Sequence, residues 1–101
     1  MLFNCSQPEI ISVAMPLLVE ALGDRMATTR VGAYANAFPV ETIGDSTYSA
    51  NSVIVERRED LTPDAYTAMV EGWVEAGATM IGGCCDMYPA HIASLLSLIH
   101  I

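Results

Sequence analysis

The sequence predicts an α/β domain built on a parallel sheet, and three observations carry the prediction. Short apolar runs suited to strands alternate with longer stretches of helical periodicity. Each helical stretch opens on a start signal: Ser6-Gln7-Pro8-Glu9, then Thr62-Pro63, then Pro89. Strands and helices alternate along the chain, which implies parallel strands joined by right-handed crossovers. With 101 residues the chain has room for one small domain, read as spanning 1–101, and none for a second.

The first strand is read over Met1 to Asn4. Ser6 then stands as N-cap with Glu9 three positions on, a capping box. Ile10, Ile11, Ala14, Leu17, Leu18, Ala21 and Leu22 follow at helical spacing, and Gly23 is placed to end the helix. Pro16 lies inside this stripe and predicts a kink or a break, because it removes one backbone hydrogen bond.

Arg30-Val31-Gly32-Ala33-Tyr34-Ala35 reads as a buried second strand. The stretch from Ala37 to Leu61 is mostly irregular, with a short strand or turn at Val53-Ile54-Val55. So long a connection inside a small domain is uncommon and often functional. Thr62 is a good N-cap and Pro63 suits the first helical position. Tyr66, Met69, Val70, Trp73 and Val74 form one apolar face opposite Asp64, Thr67, Glu71 and Glu75, so Trp73 and the methionines read as core. Gly77 ends the helix. Ala78-Thr79-Met80-Ile81 is the third strand, leading into Gly82-Gly83-Cys84-Cys85, and Pro89 starts a last helix through His91, Leu95 and Leu96.

Composition removes several function classes. Net charge is -8, and the four cations are all arginines. A nucleic-acid binder needs a cationic stripe against phosphate, and anionic membranes ask for the same, so both partners are excluded. No apolar run is long enough to span a bilayer, and Met1-Leu2-Phe3-Asn4-Cys5 lacks the pattern of a secretory signal. Three cysteines cannot all pair within one chain, which favours a reducing, cytoplasmic setting. Hydrophobic residues reach 52%, more than a small domain readily buries. That excess implies either a tightly packed domain or apolar surface that awaits a partner or further sequence.

Cys5 follows the first strand and Cys84-Cys85 follow the third, so a parallel sheet brings all three to its carboxyl-terminal edge, where α/β proteins place their sites. Neighbouring strand residues point to opposite faces, so Cys84 and Cys85 can both ligate one metal only where the chain leaves the strand. Gly82 and Gly83 supply that freedom and allow a ligand close to the backbone. Spacing alone leaves three readings open: a metal site, inert buried thiols, or vicinal-thiol redox chemistry.

Asn4-Cys5 ahead of Ser6-Gln7-Pro8, and Gly82-Gly83-Cys84-Cys85 ahead of Pro89-Ala90-His91-Ile92, resemble the two zinc motifs of homocysteine S-methyltransferases. Val31-Gly32-Ala33-Tyr34-Ala35-Asn36-Ala37 and Leu61-Thr62-Pro63 are similar to that family in order and spacing. The resemblance covers nearly the whole chain to about Leu95.

That resemblance implies the carboxyl-terminal part, about three βα units, of a TIM (β/α)8 barrel. It implies Cys5, Cys84 and Cys85 as ligands of one Zn²⁺, with Gly82 and Gly83 giving homocysteine's backbone room and Asn4 orienting the site. The implied reaction transfers a methyl group to the zinc-bound homocysteine thiolate and forms methionine. The donor, whether S-methylmethionine, S-adenosylmethionine, betaine or a methylfolate, is chosen by residues of the amino-terminal barrel portion, which this stretch does not hold. The isolated piece is therefore expected to be an inactive fragment. No general base is required of His91 or His100, and His91 reads as a surface or packing residue. The family usually carries glycine where Asp86 stands, which adds a negative charge beside an anionic site. Residues 96–101 are apolar on nearly every side and resemble non-native read-through. Beside the methyltransferase reading stand a non-catalytic zinc-binding or assembly module and a vicinal-thiol redox protein.

Overall fold

The computed structural model describes residues 1–38 and 58–98. Three parallel strands form one sheet in sequential order: β1 (Leu2–Asn4), β2 (Gly32–Ala35) and β3 (Met80–Gly83). Helices α1 (Pro8–Leu22), α2 (Pro63–Ala76) and α3 (Pro89–Leu95) follow the strands in alternation. The Val53-Ile54-Val55 expectation and residues 99–101 lie outside the described residues.

The helices cover one face of the sheet. Ala33 and Ala35 are buried beneath them, with Phe3 and Ile81 packed against the same core. On the opposite face Leu2, Gly32 and Met80 share one row, and Asn4, Tyr34 and Gly82 the next. Leu2 is 52% exposed there and Met80 36%. Gly32 sits between them because a Cβ at that position would meet the Met80 Cβ at 2.6 Å and Leu2 Cδ2 at 2.8 Å.

Three departures from the sequence reading have local causes. Gln7, not Ser6, is the N-cap of α1, because Pro8 takes the first helical position. The Ser6 hydroxyl donates to the Asn4 carbonyl at 3.0 Å instead, and Glu9 turns to Arg58 rather than back to the cap. Pro16 does not break α1. It lies on the exposed side, and Ile11 and Met15 before it and Leu22 after it are held in the core. Of the predicted stripe, Ile10 and Leu17 are exposed, and Ala14, Leu17 and Leu18 line a groove of ≈ 250 Å³ with Met1, Leu2 and Phe3 along the β1 edge.

The α2 prediction holds more closely. Thr62 Oγ1 accepts from the Ala65 N–H at 3.2 Å, and Tyr66, Val70 and Trp73 are buried. Tyr66 packs edge-on to Trp73 with centroids 5.8 Å apart, a favourable arrangement for two ring quadrupoles. Trp73 Nε1 donates to Ser12 Oγ at 2.8 Å, tying α2 to α1, and Thr67 Oγ1 donates to Ser94 Oγ at 2.7 Å, tying it to α3. The methionines divide: Met15 is buried, Met26, Met69 and Met87 pack at the core's margin, and Met1 and Met80 are exposed on uncovered surfaces. His91 is a packing residue, buried, its Nε2 2.8 Å from the Leu61 carbonyl while its Nδ1 accepts from the Tyr88 N–H at 3.1 Å.

Candidate metal centre

The three cysteines stand where the sheet ladder runs past the strand ends. The Cys5 N–H donates to the Tyr34 carbonyl at 3.0 Å and the Cys84 N–H to the Ala35 carbonyl at 2.8 Å. One step further, the Asn36 N–H donates to the Ser6 carbonyl and the Ala37 N–H to the Cys85 carbonyl, each at 2.9 Å. The continuation of β2 is thus a central rail with one cysteine-bearing turn on either side.

Cys5 Sγ lies 3.6 Å from Cys85 Sγ, and Cys84 Sγ lies 3.9 Å from Cys85 Sγ. All three sulfurs fall within 4.8 Å of one another. Tetrahedral Zn–S bonds of about 2.3 Å place neighbouring sulfurs about 3.8 Å apart. Two of the three sulfur–sulfur edges bracket that value, and thiolate is a donor that zinc accepts readily, so the residues present fit the metal.

Backbone geometry at the site is strained in two places. Cys5 has φ 43° and Asp86 φ 62°, both in the left-handed region that non-glycine residues seldom enter. Asp86 occupies the turn position after the cysteine pair, and aspartate is among the side chains that tolerate this conformation best.

Burial is the largest single influence on Cys5 and would raise its pKa. Hydrogen bonds from Cys84, Cys85 and Asn36 together outweigh it and hold the thiol below its ordinary value. Cys84 is pushed up to about 11, first by its hydrogen bond to Cys5 and then by burial. Cys85 is raised for the same leading reason. Of the three thiols, Cys5 is therefore the one whose ionisation the cluster favours.

Asn36 is the site residue that the sequence reading missed. Its side chain is buried, and Nδ2 donates to the Cys5 carbonyl at 2.7 Å while lying 3.9 Å from Cys5 Sγ. Oδ1 accepts from the Phe38 N–H at 3.2 Å. The available signal was an amide between alanines at the end of a buried strand. Asn4 and Gly82 flank Tyr34 on the open face of the sheet. Gly83 belongs to the opposite row, beside Ala35, where a Cβ would meet the Met87 Cβ at 2.7 Å.

The family model described as homocysteine S-methyltransferase matches residues 1–99. The chain belongs to the homocysteine S-methyltransferase family. Membership gives it, at family level, homocysteine as substrate together with a methyl donor. No curated protein and no solved structure gives a match. Among the described residues of this homocysteine S-methyltransferase family member, no helix is long and apolar enough to cross a membrane.

Proposed function

We propose that Cys5, Cys84 and Cys85 together hold one Zn²⁺, and that this site activates homocysteine for methylation to methionine. The observation that carries the reading is the convergence of three sulfurs from two strand ends at ligand spacing. Zn²⁺ held by these three cysteines would have room for a further ligand and would favour an incoming thiol as its thiolate.

The chain's own residues have three tasks in this reaction. The cysteines fix the metal, and their combined charge keeps an incoming sulfur electron-rich. Gly82 leaves the backbone open to the amino-acid part of the substrate and Asn4, in the same row, orients it, while Gly83 gives Met87 room on the other face. Homocysteine sulfur then attacks the donor's methyl carbon. The new S–C bond forms as the donor's bond to that carbon breaks, and its electron pair stays with the donor.

The three βα units are, on this reading, the carboxyl-terminal part of a (β/α)8 barrel. Among the described residues nothing pairs with the outer edges of β1 and β3, and Leu2 and Met80 leave apolar surface uncovered, as strands awaiting neighbours would. Bound zinc is measured for the chain and for each Cys→Ser variant; full zinc retained without Cys84 sinks the three-ligand site. Methionine formation is expected only when the remaining barrel strands are supplied. The uncovered surfaces also favour a second reading, a zinc-binding assembly module. A discrete zinc-loaded oligomer in size-exclusion chromatography would support it.

A further inference from the structure

We propose that Arg58 is a positioning residue of the thiolate cluster, a clasp that fixes the Cys5 turn against the Cys85 turn. The inference rests on the metal-site reading above and adds to it a residue outside the ligand set.

Arg58 reaches both cysteine turns by short paths. Its guanidinium grips Glu9 with Nη1–Oε2 at 2.9 Å and Nη2–Oε1 at 2.6 Å. Glu9 lies in the first turn of α1, which leaves the Cys5 turn through Ser6 and Gln7. In the other direction, the Arg58 N–H donates to the Ala37 carbonyl at 2.9 Å, and the Ala37 N–H donates to the Cys85 carbonyl at 2.9 Å. One residue, Ala37, therefore separates Arg58 from Cys85.

Two further donors of Arg58 are taken by Asp60, with Nε–Oδ1 at 2.9 Å and Nη2–Oδ2 at 2.7 Å. Two forked carboxylates on one guanidinium leave it little freedom to turn, and its side chain is only 11% exposed. An arginine so held is a rigid fitting, unlike a solvated surface charge.

A constraint of this kind is needed at one edge of the cluster. Cys84 and Cys85 are chain neighbours, so local backbone sets their spacing. The Cys5–Cys85 edge joins residues separated by 80 positions, and Cys5 holds a left-handed φ of 43° that persists only where the surroundings impose it. Arg58 spans that edge.

The test compares the full chain with Arg58→Met, Glu9→Gln and Asp60→Asn. Zinc affinity is measured by competition with a chromophoric chelator, and Co²⁺ substitution reports the number of bound thiolates through its charge-transfer intensity. Thermal midpoints without metal are recorded alongside. Arg58→Met and Glu9→Gln are each expected to weaken zinc binding by about 10-fold or more, with loss of thiolate intensity. Asp60→Asn, which leaves the Glu9 link in place, should lower the thermal midpoint but keep wild-type affinity and spectrum.

If Arg58→Met does not fold, Glu9→Gln decides alone. Wild-type affinity with a three-thiolate spectrum in Arg58→Met or Glu9→Gln overturns the clasp while leaving the metal site standing. An equal loss of affinity in all three variants, tracking their thermal midpoints, also overturns it. Absence of zinc binding by the unmodified chain overturns the metal reading and the clasp together.

Discussion

Cys5 Sγ and Cys85 Sγ stand 3.6 Å apart although 80 positions separate them in the chain. The parallel sheet produces this proximity, because β1 and β3 flank β2 and all three strands end on one side. A metal at that point would engage every thiol in the molecule. Thiol titration with a chromogenic disulfide should count three reactive groups in metal-free protein and none after one equivalent of Zn²⁺. Protection of two groups or fewer would remove one cysteine from the ligand set.

Asp86 tests the turn after the cysteine pair. Its φ of 62° is open to glycine without steric cost, whereas a side chain without aspartate's local hydrogen bonding pays about 1–2 kcal/mol there. Asp86→Val should therefore lower the thermal midpoint, and Asp86→Gly should leave it unchanged or raise it. Equal loss in both variants would show that the carboxylate, not the backbone conformation, matters at this position.

Gly32 makes the opposite demand, for space alone. A Cβ there would meet the Met80 Cβ at 2.6 Å and the Met80 carbonyl, which belongs to the ladder backbone and cannot swing aside. Gly32→Ala is expected to force β2 and β3 apart and cost about 1–3 kcal/mol, read as a lower midpoint in urea. Met80→Ala added to it cannot restore the loss, because the backbone clash remains. Full rescue by that double change would place the conflict in the side chain instead.

Much of this was legible because it depends on local pattern. The Thr62-Pro63 start, the Tyr66, Val70 and Trp73 face and the alternation of strands with helices all follow from periodicity and capping, and the structure carries them. Convergence of Cys5 with Cys84-Cys85 also followed, since a parallel sheet fixes which ends meet. Partner choice was not legible. Glu9 suits a capping box, yet an arginine distant in sequence competes for its carboxylate and wins with two charged hydrogen bonds. Pro16 predicts a kink or a break, and of these the break does not occur, because packing on both sides of it keeps α1 whole. Asn36 took no role in the sequence reading because its contact with Cys5 exists only after β1 and β2 pair.

Tyr66 links the helix layer to the strand that delivers Cys84 and Cys85. Its hydroxyl donates to the Gly82 carbonyl at 2.6 Å, within a buried setting that pushes the phenol up to about 12. The folded value lies above the ordinary value of 10.0, so burial favours the protonated form. This contribution is fully present below pH 10 and is lost as pH rises from there through about 12, where the unfolded chain ionises more readily. Tyr66→Phe removes both the donor and the titration. It should cost about 1–2 kcal/mol at pH 8, because the Gly82 carbonyl loses a buried partner. Above pH 10 the difference between the two proteins should shrink, as the wild type alone loses this contribution. Parallel stability curves for the two proteins from pH 8 to 12 would show that Tyr66 stays accessible to water and does not brace β3.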